Sequence, residues 1–491
     1  MAQNKISFKW SAVEGFDAYF FIGTSQDSAI AVDWGDGQSE VFHCEGLGSS
    51  LPCEQKDMKE ISHIYNSDGI YQVIVQTENS GAVSFEYEKF VYGPRLLELN
   101  VSDAPNLVQL SCTDSKLKNL DVSKNTALQY LECSSCDLSE LDVSNNTALK
   151  YLACCECNLK ELHLARNTAL EELFCYSNQL TSLDVSKNVL LKHFNCDNNP
   201  CTVLDVSKNI ALEVLSASGL INLTVLDVSK NVALEMLYAS GLINLTKLDV
   251  SKNIALERLD CKYNQLDELD VSKNVNLAYL WCQGNKLTSL DVSNNRKLCE
   301  LDCSDNQLKT VVSKNVSLTE LRCSNNPLTA LDVSGNRYLE VLDVNASECE
   351  GVLRTLDVSN NIALKKLFCH SQKLQKLDVS NKVNLEELNC SFNKLTSLDV
   401  TYNVELWSLD CSINHLTDLD VTHNVALLEL NCCHNHLTSL DVTHNVELCS
   451  LDCRENKLKT LDLSKNIRLT KIDCGRNEFK SLLELFNKEK L

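Results

Sequence analysis

The chain has 491 residues, 44% of them hydrophobic, and with only 15 glycines and 5 prolines it is not expected to hold long flexible linkers. It has no apolar run of the roughly 18 residues that a membrane-spanning helix needs. The formal charge of -22, from 67 acidic and 45 basic side chains, repels the phosphates of nucleic acids and anionic lipids. No nucleic-acid partner and no membrane insertion are therefore expected.

The opening MAQNKISFKW lacks the apolar core of a signal peptide, so either the chain is cytoplasmic or a leader was removed. From Ile6 to Tyr92 the runs KISFKW, DAYFFIG, AIAVDWGDG, GIYQVIVQ and VSFEYEKFVY alternate as half-buried strands do. The most specific stretch is Asp33-Trp34-Gly35-Asp36-Gly37. It predicts a tight turn in which glycine takes positive φ, with Trp34 as core bulk, and these roles explain it without a metal or ligand. Together with His63-Ile64-Tyr65 and the run from Gly69 to Val75, it gives the patterns WGDG and HxYxxxGxYxVxV. These resemble the polycystic-kidney-disease (PKD) repeat. The resemblance implies an immunoglobulin-like β-sandwich over residues 1–93, joined to the rest near Gly93-Pro94. Residues 42–62 form a longer connection than is typical, with Cys44 and Cys53 in it and their pairing left open.

Beyond the join, a leucine recurs from Leu99 through Leu120 and Leu141 to Leu461, once replaced by Val311, giving eighteen units spaced mostly by 21 residues. Each unit reads LxxLxCxxNxL and then xxLDVSxN. Spacings of 22 surround the near-duplicates LEVLSASGLINLT and LEMLYASGLINLT, one of 20 falls at TVVSKN and one of 25 at Asn345 to Arg354, where extra residues must loop out of a stacked core. The pattern resembles the leucine-rich-repeat superfamily over residues 96 to 481, in particular nested 21-residue bacterial repeats of the Bacteroides type. The resemblance implies a mainly β, right-handed solenoid over 94–481 with a parallel β-sheet on one face and a second run of short extended segments on the other. Leu482, Leu483, Leu485 and Phe486 in the tail 482–491 are expected to cap the last coil, and the N-terminal domain the first.

The ladder cysteines run from Cys112, Cys133, Cys154, Cys175 and Cys196 through Cys261, Cys282, Cys303 and Cys323 to Cys369–Cys474. Ala217, Ala239 and Val344 take the same place in other coils, which marks a small buried hydrophobe rather than a reactive thiol. In-register strands about 4.8 Å apart give parallel Cβ vectors, poor for a disulfide torsion, so buried free thiols are expected. The C-x2-C-x17-C-x2-C spacing of Cys133, Cys136, Cys154 and Cys157 suits zinc, but the repeat itself generates it, because 136 and 157 occupy the asparagine position. His415, His423, His434, His436 and His444 stand mostly where other coils place lysine and are read as solvated surface. The aspartate of LDVS, present in fifteen of eighteen units, is expected to bond the Ser or Thr two residues on rather than calcium. No nucleophile with a base, no phosphate loop and no separate carboxylate pair occurs, so neither catalysis nor a cofactor is expected.

With one sequence the repeats are their own comparison. The outward positions of LxxLxC vary from coil to coil while the Asp and Ser of LDVS hardly change, so the first set is the expected binding face. It carries Tyr130, Tyr151, Phe174, Tyr176, His193, Tyr238, Tyr279 and Trp281, then Phe368 and His370, and an acidic stretch with Glu300, Asp302, Glu320, Asp343, Asp410, Glu429 and Asp452. Exposed aromatics on a rigid sheet suit a protein or carbohydrate ligand. The expectation is a monomeric, non-enzymatic recognition or adhesion protein, at the cell surface or secreted. A spacer on the order of 85 Å long at about 4.8 Å per coil and a cytoplasmic interaction scaffold are the alternatives.

Overall fold

The computed structural model describes residues 3–87, 95–312, 315–347 and 351–479. The expected join at Gly93-Pro94 and the capping tail lie outside them. These residues divide into two compact units between Ile254 and Ala255. Both are built almost wholly of strands and turns, with no α-helix among the described residues.

The first unit begins with strands β1 (Lys5–Ala12), β2 (Asp17–Thr24), β3 (Ser28–Asp33), β4 (Ser39–Cys44), β5 (Lys59–Ile64), β6 (Gly69–Thr77) and β7 (Val83–Glu86), followed by β8 (Arg95–Asp103) and β9 (Leu107–Ser111). One antiparallel sheet has the order β4-β3-β6-β1-β8, and β2 pairs with β5 and β7 in another. Period-2 alternation puts Ile6, Phe8 and Trp10 of β1 and Ala18, Phe20 and Ile22 of β2 in the core. Phe8 meets Phe20 edge-on at 5.6 Å and Phe85 at 5.6 Å. Strand β7 then pairs in parallel with β9, so the sheet runs on into the first coil. The connection after β4 also covers that coil, since Cys53 N–H donates to Gln109 Oε1 (2.9 Å) and Gln109 Nε2 donates to Cys53 O (3.0 Å).

The WGDG turn forms as its residues dictate: Gly35 and Gly37 have φ of 79° and 93°, and Trp34 is fully buried. Asp36 also makes a contact its sequence did not announce. Its Oδ2 bonds His63 Nε2 at 2.8 Å, and the His63 ring stacks on Trp34 at 4.7 Å. Tyr65 closes the group, accepting from Trp10 Nε1–H and donating to the Trp34 carbonyl, both at 3.0 Å.

From β9 onward each unit is a parallel-sheet solenoid in which every coil gives one short strand, from Leu107–Ser111 to Met236–Tyr238 in the first unit and from Arg258–Asp260 to Lys471–Asp473 in the second. The one-coil register is plain at Tyr130↔Tyr151 and Leu131↔Leu152 in the first unit and at Leu409↔Leu430 in the second. In a representative coil Leu277, Leu280, Cys282, Leu287 and Val292 are buried, together with the asparagines Asn274 and Asn285. The asparagines close the backbone accounting that a coil without a second sheet leaves open. Asn178 Nδ2 donates to the carbonyls of Cys154 (2.8 Å) and Cys175 (3.1 Å), while its Oδ1 accepts from Leu159 N–H (3.1 Å). In the LDVS half, Asn146 Nδ2 reaches Val122 O (2.9 Å) and Asn125 O (2.8 Å). These bonds do the work of a second sheet on the other side of the coil. The LDVS segments do not form a continuous second ladder; among the described residues only Thr310–Val312 and Ala330–Asp332 pair there. Elsewhere asparagine side chains take the carbonyls a second sheet would have used.

Candidate functional site

Most three-residue strands of the sheet bury a middle leucine and turn the two flanking side chains outward. Tyr130, Tyr151 and Tyr279 stand in the first outward column, and Phe174, Tyr238, Trp281 and Phe368 in the second. Tyr176 and His370 lie one step past a ladder cysteine, on the start of the turn rather than on the strand. All nine are half-buried.

The structure sorts the aromatics into separate groups. Tyr130 and Tyr151 stack at 4.2 Å with rings 7° apart, and Phe174 continues the row at 5.6 Å from Tyr151. Tyr130 O–H donates to Glu132 (3.0 Å), and burial, reinforced by Glu132, pushes the Tyr151 hydroxyl up to about 12. Polar coils with His193, Asn195 and Ser216 come between this group and Tyr238, whose hydroxyl points to Met236 Sδ at 3.7 Å. In the second unit Tyr279 and Trp281 lie 5.9 Å apart, with the Arg258 guanidinium 4.5 Å over the Tyr279 ring and Trp281 Nε1–H donating to Glu300 (2.7 Å). Phe368 is on the rim of a depression of about 460 Å³ over later coils, lined by Glu387, Asp410, Glu429, Asp452 and Asp473.

The acidic positions are partly neutralised within the sheet. Arg322 pairs with Glu320 and lies 3.9 Å from Glu300, and Arg454 bridges Asp452 (3.2 Å) and Asp473 (3.3 Å). Burial raises the carboxyls of Asp302 and Asp343, against hydrogen bonds from Ser304 and Asn345. The sequence reading passed over Trp407. It is half-buried in the column just before the strand, where half of the coils carry Lys or Glu, and the single tryptophan among them was the available signal.

The ladder cysteines from Cys112 to Cys453 are at most 1% exposed, and Ala217, Ala239 and Val344 are equally buried in the same place. All 24 described cysteines, Cys44 and Cys53 among them, are free thiols. Burial pushes Cys369 and Cys453 up to about 12. Cys136 is the exception, held down at about 7 by its hydrogen bond with Cys112 in spite of burial. Of the proposed zinc set, Cys136 and Cys157 act as the missing asparagines, each donating to a carbonyl one coil back, Cys112 O and Cys133 O, at 3.3 Å. Among the described residues no group of three His, Cys, Asp or Glu side chains is placed to hold a metal.

The LDVS carboxylates bond locally, with a refinement: the constant donor is the backbone N–H of the Ser or Thr two residues on. Ser123 N–H to Asp121 Oδ1 is 2.9 Å and Ser272 N–H to Asp270 Oδ1 is 2.8 Å, with the hydroxyl joining at Ser380 and Thr401. These bonds hold the Asp121 and Asp270 carboxyls below their ordinary value. Among the histidines, His415 and His436 stack on each other at 5.9 Å, but His434 does have a carboxylate partner, Glu455 at 3.0 Å.

No protein-family model and no curated protein sequence matches the chain. Solved structures do. The functional domain of InlJ from Listeria monocytogenes, described as including a cysteine ladder, is 33% identical over 72% of this chain and 73% of that one, with a TM-score of 0.59. YopM from Yersinia enterocolitica is 23% identical, covering 81% and 88% of the two chains, with a TM-score of 0.61. A leucine-rich-repeat protein of Leptospira interrogans is 19% identical, covering 76% and 91%, with a TM-score of 0.54. The chain belongs to the leucine-rich-repeat proteins. Among the described residues no helix is long and apolar enough to cross a membrane.

Proposed function

We propose that this is a non-enzymatic recognition protein whose sheet face binds a protein partner, with Tyr130, Tyr151, Phe174 and Tyr176 as its principal patch. The observation that carries this reading is the contact of Tyr130, Tyr151 and Phe174 across three successive coils. The same columns hold Glu, Ser, Asn or Asp in later coils without change of backbone register, so the fold does not require the aromatics. Rigid amphipathic rings give contact area at little entropic cost. Tyr130 and Tyr151 spend their faces on each other and present edges, which favours a peptide side chain over a sugar ring that needs an open face. The leucine-rich-repeat membership agrees with protein binding. Within this reading the N-terminal strands are a PKD-like sandwich that caps the first coil, and the chain acts as a monomer at the cell surface or after secretion.

The test is selection from a displayed peptide library on the wild-type chain and on Y130S/Y151S/F174S. Sequences enriched on the first and lost on the second support the reading; enrichment indifferent to the substitutions refutes it.

A further inference from the structure

A second surface lies on the coils from Val383 to Val446. In the turn that leads into each strand, the residue after the buried LDVS asparagine points to solvent. Here it is Val383, Val404, Val425 and Val446, each about half exposed. Most other coils carry an exposed Val or Ile here, such as Val189, Ile210 and Val275, while the first coils carry Thr126, Thr147 and Thr168, also exposed. Threonine and valine have nearly the same shape, so the fold itself has no need of the apolar methyl.

Three residues further along the coil lies the column that holds Lys150, Glu171, Lys192 and Glu213 in earlier coils. Here it holds Trp407 and Leu428, on neighbouring coils joined by Leu428 N–H to Trp407 O at 2.8 Å. Leu428 is 37% exposed and Trp407 half-buried. On these coils the second column thus turns apolar beside a first column that is apolar along most of the solenoid, and an apolar surface with a polar rim marks an interaction site.

The side chains nearest the ridge are acidic, with Lys365 one coil beyond Glu386. Glu386 and Glu405 flank the ridge on one coil side and Glu429 lies beside Leu428 on the strand, and none of the three has an ion pair among the described residues. Beyond Glu429 the sheet sinks into the acidic depression with Asp410 and Asp452. An apolar ridge edged by unpaired carboxylates repels an anionic surface and attracts a cationic one.

We propose that this ridge binds a cationic amphipathic segment of a partner protein, its apolar side chains covering Trp407, Leu428, Val404 and Val425 while its lysines or arginines meet Glu386, Glu405 and Glu429. Packing supplies affinity and the carboxylates supply orientation and rate. The surface is distinct from the Tyr130 patch and does not depend on it.

The experiment is calorimetric titration of the full chain with a designed peptide of leucine and lysine in amphipathic helical order. Two control peptides replace its lysines by glutamate or its leucines by serine. The leucine-lysine peptide is expected to bind, and W407S/L428S to weaken it by about tenfold or more, the scale of losing a tryptophan anchor. E405K/E429K should weaken it as well, and Y151S/F174S should leave it unchanged. None of these side chains belongs to the fully buried core, so each variant should keep the wild-type circular dichroism spectrum at the titration temperature. Binding that survives W407S/L428S, or a serine-lysine peptide that binds as tightly as the leucine-lysine one, overturns the proposal by reducing the effect to bulk charge. Loss with Y151S/F174S and not with W407S/L428S overturns it too, by placing the peptide on the aromatic patch.

Discussion

Lys382 occupies a place where the solenoid normally buries an asparagine, and replacing it by asparagine should stabilise the protein. In neighbouring coils Asn361 Nδ2 donates to Val333 O (2.9 Å) and Asn336 O (2.8 Å), and Asn403 Nδ2 to Val379 O (3.0 Å) and Lys382 O (2.7 Å). Lys382 is fully buried and its ammonium turns instead to the Asn381 carboxamide. The carbonyls of Val358 and Asn361 keep their turn donors, Asn361 N–H (2.9 Å) and Leu364 N–H (3.3 Å), and lack the side-chain donor their counterparts have. Lys382→Asn restores two hydrogen bonds at about 1 kcal/mol each. It also removes a buried ammonium whose net cost, offset by nearby Asp378 and Asp357, is on the order of 1–2 kcal/mol. The sum is a gain of about 3–4 kcal/mol, read as a higher urea midpoint by circular dichroism. Asn403→Lys should shift the midpoint the opposite way. Burial holds the Lys382 amine below its usual 10.5, so the unfolded chain binds the proton more tightly and the native state gains stability as pH rises from the folded pKa toward 10.5. The wild type should therefore narrow its gap to K382N in alkaline buffer. A K382N midpoint equal to or below the wild type would refute the reasoning.

Three further outcomes are expected. Cys282→Ser should lower the urea midpoint more than Cys282→Ala, by roughly 1–3 kcal/mol, because it buries a hydroxyl where the thiol is fully enclosed; equal midpoints would argue against an inward position. In native protein, rapid alkylation followed by peptide mapping should mark Cys53, Cys299, Cys449 and Cys474, the partly exposed thiols, and reach the ladder from Cys112 to Cys453 only on unfolding. Prompt labelling of ladder cysteines would sink the packing account. The Asp121 and Asp270 carboxyls are held below 3.8, chiefly by bonds from Ser123 and Ser272, so their contribution is complete above that pH and is lost as pH falls through the folded values. Melting temperature should drop steeply between about pH 4 and pH 2; a flat profile there would show that these bonds carry no stability.

The sequence by itself determined the coil. A period of 21 with fixed apolar positions sets which side chains point inward, because every residue in register meets its own equivalent one coil away, and so Leu280 and Cys282 could be placed in the core from their frame alone. The Asp36-Gly37 turn and the local bonds of the LDVS aspartates were legible for the same reason, since their partners lie within two residues. What depends on distance across the sheet was not. Tertiary structure decided that the LDVS segments do not pair as a continuous second ladder, that β7 adds itself to the first coil, and that Asp36 finds His63 far along the chain. It also broke the aromatic run into separate groups and set Leu428 beside Trp407 on neighbouring coils. A repeat specifies the column a side chain occupies. Which columns lie close enough to act together is set by the turn between them, and only the folded coil supplies that geometry.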